Sequence, residues 1–161
     1  MGGPPMPKYP LEPLAELREK KVEAAALELA EAVRKREAAA RTLLAAELRR
    51  DAQARAVAGL RQSEHGALSR GELRARDLAR ADAWGIRVAG ERQSLVGAVD
   101  HARASEATAR GQERDAQGTL AARRADAQVV AGHRTRWDDE ARHRLEAREE
   151  EASSEAWRRK R

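Results

Sequence analysis

The stretch Gly59–Leu73, GLRQSEHGALSRGEL, decides how this chain folds. Between Pro13 and Gly59 there is neither glycine nor proline, and no proline follows Leu73, so two long unbroken segments flank it. Inside the stretch, Gly66 has no Cβ and can take the left-handed conformation that closes a helix. Ser69 followed three residues later by Glu72 has the spacing of a capping box, which opens a new helix. A second candidate break, Gly85 to Gly90, has glycines but no capping residues. The expected organisation is a flexible N-terminal extension over 1–10 and a first long helix over 11–62. A turn or kink over 63–71 then leads to a second long helix over 72–158 that ends in a frayed basic C-terminus.

Outward from that break, apolar residues recur at helical spacing. On the N-terminal side the stripe runs Leu11, Leu14, Val22, Ala25, Leu29, Val33, Ala40, Leu43 with Leu44, Leu48, Val57 and Leu60. Arg18 and Arg36 interrupt it, and their aliphatic stems can still cover apolar surface. Pro13 suits a first helical turn, where its missing N–H costs nothing. A helix of about fifty residues rises roughly 75 Å at 1.5 Å per residue. On the C-terminal side every seventh residue from Val88 reads Val88, Leu95, Ala102, Ala109, Ala116, Arg123, Val130, Trp137; all but Arg123 are apolar, a heptad seam. The companion positions are mixed: Val99, Leu120, Ala127 and Ala141 alternate with Arg92, Glu106, Glu113 and Arg134. The expected fold is all-α: two long helices in an antiparallel coiled-coil hairpin, the second longer than the first. Part of the second helix, near its C-terminal end, is left unpaired. A single extended helix and a parallel dimer are the other arrangements this pattern permits.

Composition agrees with helices and argues against a compact globule. Of 161 residues, 37% are charged and 2% aromatic, with no Phe and no Cys. Mean hydropathy is −0.80. Leu, Ile, Val and Phe together make up about 15% of the chain, too few large apolar side chains for a sizeable core. The net charge of only +5 weighs against disorder, since charges of both signs nearly cancel. The pI near 10.2 invites a nucleic-acid reading. Arg and Glu are interleaved through most of the chain, however, which is the pattern of solvated helix faces. Only the tail Arg158–Arg161 is a cluster of one sign, and no nucleic-acid partner is expected. No apolar run approaches the length that spans a bilayer. The start, MGGPPMPKYP, has no hydrophobic core of a secretory signal, and Met6 is an alternative to Met1 as the native start. A cytoplasmic location is the default expectation.

No catalytic, cofactor or metal site is expected. His65, His101, His133 and His143 include no pair at i, i+4, and cysteine is absent. Glu140-x-x-His143 has the spacing used by di-iron bundles, which need the motif twice with further glutamates. No glycine-rich phosphate loop occurs. Nucleophile, base and orienting group cannot readily converge on two helices that enclose no dry pocket. The expected mode of action is binding. Three tryptophans stand out against the scarcity of other aromatics. Trp137 falls on the seam; Trp84 is either a binding anchor or part of the packing across the hairpin. Trp157, beside the basic tail, is either a docking anchor or part of the last frayed turn.

With these elements in place, the N-terminal pattern Tyr9-x-Leu11-x-x-Leu14-x-x-Leu17-Arg18, followed by Val22-Glu23-x-Ala25, resembles the start of the FliJ/YscO family. These are central-stalk proteins of type III secretion systems, flagellar or injectisome. The likeness continues through LSRGELRARDLARADAW, residues 68–84, which is similar to the family's hairpin region. It also takes in Asp139-Glu140-Ala141-x-x-Arg144, which resembles a recurring acidic dyad followed by a basic residue. It spans roughly residues 9 to 145; the chain departs from the family in its richness in Ala and Arg and its few large apolar residues around 100–119.

The resemblance implies a hairpin whose joined N- and C-terminal ends enter the pore of a hexameric secretion ATPase, promoting its activity or assembly. The other end would face the membrane-embedded export gate, and export chaperones are further implied partners. Arg18, Lys20, Lys21 and Glu23, with Asp139, Glu140, Arg144 and Arg148, are the implied ATPase contacts. Leu73, Leu78, Trp84 and Val88 are the implied contacts with the gate's cytoplasmic domain. The implied place is the cytoplasmic face of a secretion apparatus, without crossing the membrane. Two other readings stand beside it. One is a coiled-coil scaffold or adaptor with no secretion role. The other is a basic helical protein that binds nucleic acid or anionic membrane through Trp157 and the terminal basic cluster.

Overall fold

The structure, a computed structural model, describes residues 8–159. Most of the extension expected over 1–10, both candidate start methionines, and Lys160 and Arg161 of the basic tail lie outside the described residues. Among the described residues the only regular elements are two helices, α1 (Glu12–Ser69, 58 residues) and α2 (Ala75–Arg158, 84 residues). They pack against each other as a hairpin, and α2 is the longer. Pro13 sits in the first turn of α1, where the Leu11 carbonyl accepts from the N–H groups of Leu14 and Ala15 at 3.0 Å each.

The turn falls at the C-terminal edge of the expected break, and its chemistry differs from the expectation. Gly66 lies inside α1, and Gly71, at φ 70°, is the residue in the left-handed conformation. The Gly71 N–H donates to the Leu68 carbonyl and the Glu72 N–H to the Ala67 carbonyl, both at 3.0 Å. This pair of bonds is a Schellman closure, which satisfies two carbonyls that the helix end would leave bare. Ser69 does not cap α2. Its hydroxyl donates back to the His65 carbonyl at 2.6 Å, and the Glu72 carboxylate brackets Arg70 at 2.7 and 3.0 Å. The cap of α2 comes from Asp77, whose carboxylate accepts from the Arg74 N–H at 3.0 Å. This supplies the carboxylate half of a capping box three residues further along. The alternative break at Gly85–Gly90 lies in uninterrupted α2.

The seam of α2 follows the heptads read from the sequence. Val88, Val99, Ala102, Ala109, Leu120, Val130 and Ala141 are buried, and Val99 is the most enclosed large side chain at 2% exposure. The seam of α1 keeps a different phase from the stripe expected at 3.6 residues per turn. Arg18, Val22, Ala25, Leu29, Ala32, Arg36, Ala39, Leu43, Ala46, Arg50, Gln53 and Val57 alternate spacings of four and three, and all are buried or half-buried. Leu11, Leu14, Leu44, Leu48 and Leu60 of the expected stripe stand exposed. A 3.6-residue stripe drifts about 20° per heptad away from a partner, whereas a 3.5-residue one stays against it. Contact with α2 therefore selects the second pattern, although it enlists three arginines, a glutamine and several alanines and leaves leucines outside.

The chain divides into two compact units, residues 1–30 with 115–161 and residues 31–114. In the first, Glu12 pairs with Arg134 at 3.0 Å and Arg18 with Asp126 at 2.7 Å, so the helices run antiparallel. In the second, Arg36 pairs with Glu113 at 2.6 Å and Glu47 with Arg103 at 3.3 Å, in the same antiparallel sense. The Arg36 N–H does not aim along the line to Glu113, so that contact is an ion pair and not an aligned hydrogen bond. Polar seam residues are thus mostly matched across the hairpin. Each such half-exposed pair is worth about 0.2–1 kcal/mol, so together they set register more than they add stability.

Candidate functional site

Each unit carries one set of the residues implied by the resemblance. In the first unit, an aromatic clasp holds the start of α1 to α2. Tyr9 is 6% exposed; its hydroxyl lies 2.8 Å from His133 Nδ1 and its ring meets Trp137 edge-on, with centroids 5.6 Å apart. The Arg134 guanidinium stands 5.8 Å from the same ring centroid, a cation–π contact. Trp137 packs on the seam in this way, and His133, assigned no role from sequence beyond its lack of a metal-binding pair, is a partner of Tyr9. A Tyr more than a hundred residues from its contacts gives no local signal, so only its place beside the first heptad could have pointed to the clasp.

Beyond the clasp lie the residues implied to meet an ATPase. Lys20, Lys21 and Glu23 are exposed on α1. Glu23 also borders a shallow groove with Glu19, Val22, Arg124, Ala127 and Gln128. Arg18 differs from them, because it is a half-buried seam residue engaged by Asp126 and offers a partner little free surface. On α2, Asp139 pairs with Arg142, and Glu140 lies 3.7 Å from Arg144 one turn on. Arg148 is exposed. From Glu146 to Arg159 every residue is exposed, so this last stretch of α2 has no covering helix among the described residues. Trp157, 60% exposed, belongs to it.

In the second unit, the residues implied to face a gate are unequal. Leu73 is half-buried in the turn and Leu78 is 42% exposed on the first turn of α2. Trp84 is half-buried. Val88 is a seam residue at 7% exposure and serves the packing of the two helices. A contact surface here would consist of Leu78 and the open part of Trp84.

The second unit also has a feature not singled out from the sequence, a groove of about 950 Å³ between α1 and α2 around Gln53 and Arg92. It opens where polar residues occupy successive seam positions without matching one another. Arg92 showed itself as a break in the heptad, but Arg50 and Gln53 could join it only once the phase of α1 was known.

Among the described residues no three His, Asp or Glu side chains gather as a metal ligand set, and no helix is long and apolar enough to cross a membrane. Titration is little perturbed. Glu31 is held below the usual carboxylate range by its hydrogen bond to Lys35 and the charge of that lysine. The Arg70 guanidinium is pushed up by Glu72. Both are fully exposed. Compared with protein-family models, curated proteins and solved structures, the chain matches none of them.

Proposed function

We propose that this chain acts by binding, as the central stalk of a type III secretion system of the FliJ/YscO kind. The N- and C-terminal ends of the hairpin insert into the hexameric export ATPase, raise its activity or assembly, and couple it to the export gate. Export chaperones are a further class of partner. The protein works at the cytoplasmic face of the secretion apparatus.

The observation that carries this reading is an antiparallel hairpin whose second helix outruns the first, joined to the motifs at Tyr9–Ala25, Leu68–Trp84 and Asp139–Arg144. Lys20, Lys21, Glu23, Glu140, Arg144 and Arg148 form its exposed, mixed-charge ATPase surface. Exposed charge pairs are worth about 0.2–1 kcal/mol each, so such a surface touches six similar subunits without locking to one. Leu78 and Trp84 offer the gate a small apolar anchor of the kind that dominates binding energy.

The test is ATP turnover by the export ATPase encoded in the same genome, with and without the full chain. Turnover or the hexamer fraction rises with the chain, and Lys20→Glu with Lys21→Glu removes the rise while helicity is unchanged. Trp84→Ala weakens capture of the gate's cytoplasmic domain and leaves ATPase stimulation intact. An ATPase whose turnover and oligomer size ignore the chain would leave the scaffold reading in its place.

A further inference from the structure

The seam of the second unit is matched almost throughout, and the place where it is not matched is specific. Of the polar residues in the α2 seam, Glu106 pairs with Arg110 at 2.6 Å, Glu113 with Arg36, and Arg134 of the first unit with Glu12. Arg92 has no ion pair among the described residues. In the same groove, Arg50 of α1 turns to Asp51 on its own helix at 2.8 Å. The side-chain amide nitrogen of Gln53 is buried and lacks an acceptor. An amide left in that state costs about 1–3 kcal/mol.

The groove at this point has an apolar floor of Val57, Val88 and Val96, with short alanine side chains beside it that leave room between the helices. Val96 is 41% exposed although it lies between two helices. Arg50, Arg61 and Arg92 line the groove, and no carboxylate does. Arg61, like Arg92, has no ion pair among the described residues. The imbalance extends beyond the groove. Residues 31–114 hold 17 Lys and Arg against 12 Asp and Glu, whereas the other unit holds 15 of each. The chain's whole excess of positive charge therefore belongs to the unit that contains the groove.

We propose that this groove is a docking site for an acidic amphipathic helix of a partner protein. A groove between two helices is filled by a third helix that lays apolar residues at i, i+3 and i+4 along the floor. Carboxylates flanking that ridge would reach Arg61 and Arg92. A nucleic acid fits less well, because a valine floor offers phosphates nothing and the lining has no aromatic ring on which a base could stack. The proposal does not depend on the secretion reading; failure of the ATPase test above leaves it standing, and the reverse holds too.

The experiment is fluorescence anisotropy of the full chain with a labelled helical peptide of about three heptads, Leu at the two seam positions and Glu at most others. A second peptide replaces Glu by Lys. The Glu peptide binds and the Lys peptide does not. Arg61→Glu with Arg92→Glu weakens the Glu peptide by at least about tenfold and lets the Lys peptide bind, as expected when charge complementarity sets partner choice. Val96→Glu, at an exposed position, independently weakens the Glu peptide, and circular dichroism confirms that each variant keeps its helicity. Absence of Glu-peptide binding, equal binding of both peptides, or indifference to all these substitutions overturns the proposal. So does sedimentation showing that the same substitutions dissociate a dimer of this chain, which would make a second copy the occupant. Binding of a duplex DNA oligonucleotide that displaces the Glu peptide and is lost in the same variants would make nucleic acid the occupant instead.

Discussion

Gly66 and Gly71 lie five residues apart at the end of α1, and substituting each by alanine shifts stability in opposite directions. Gly71 adopts φ 70°, and a Cβ placed there would meet nothing within 4 Å. The cost of Gly71→Ala is therefore conformational and not steric, about 1–2 kcal/mol for an L-residue held in the left-handed region. Gly66 is inside the helix, where replacing glycine by alanine gains about 0.5–1 kcal/mol. Its Cβ would come within 3.2 Å of the terminal nitrogen of Arg70, the flexible end of an exposed side chain that can move aside. Urea unfolding followed by far-ultraviolet circular dichroism at fixed protein concentration reads both. With a denaturant slope of about 2 kcal/mol per molar, Gly71→Ala lowers the midpoint by about 0.5–1 M and Gly66→Ala raises it by about 0.25–0.5 M. Gly71→Asn falls between wild type and Gly71→Ala, because asparagine tolerates that conformation better than other side chains. A destabilising Gly66→Ala beside a neutral Gly71→Ala would place the helix cap at Gly66 and refute the turn described above.

Two further substitutions probe the seam. Leu120, 6% exposed, is the largest leucine contribution to the core of α2, and Leu120→Ala costs about 2–3 kcal/mol, the low end for a buried leucine because two helices can close on the gap. Leu44→Ala, at a leucine 56% exposed, stays within about 0.5 kcal/mol by the same unfolding measurement. A double-mutant cycle on Arg36→Ala and Glu113→Ala gives a coupling of about 0.5–1 kcal/mol at low salt that shrinks at 1 M salt, since the pair is partly exposed.

Much of the fold is legible in the sequence. The absence of breakers on either side of Gly59–Leu73 calls for two long helices. The sevenfold repeat from Val88 marks the α2 seam because each of its positions is set by the same helix geometry. The implied ATPase-contact residues Lys20, Lys21, Glu23 and Arg148 are exposed, as charged residues off a seam must be. Less legible is that Arg18 and Val88, implied by the resemblance as partner contacts, are taken up by the packing of the two helices. Tyr9 finds His133 and Trp137 across more than a hundred residues, and no local pattern carries that information.

The sequence by itself determined helix content, the existence of a break and the seam of the second helix, because these follow from residue periodicity and backbone propensity. Only the tertiary structure decided the phase of the first helix, the capping glycine and the groove. Each of those is a choice between nearly equal local options, such as two glycines in the same turn or two stripes on an alanine-rich helix. The choice is made when one helix must keep a single face against the other.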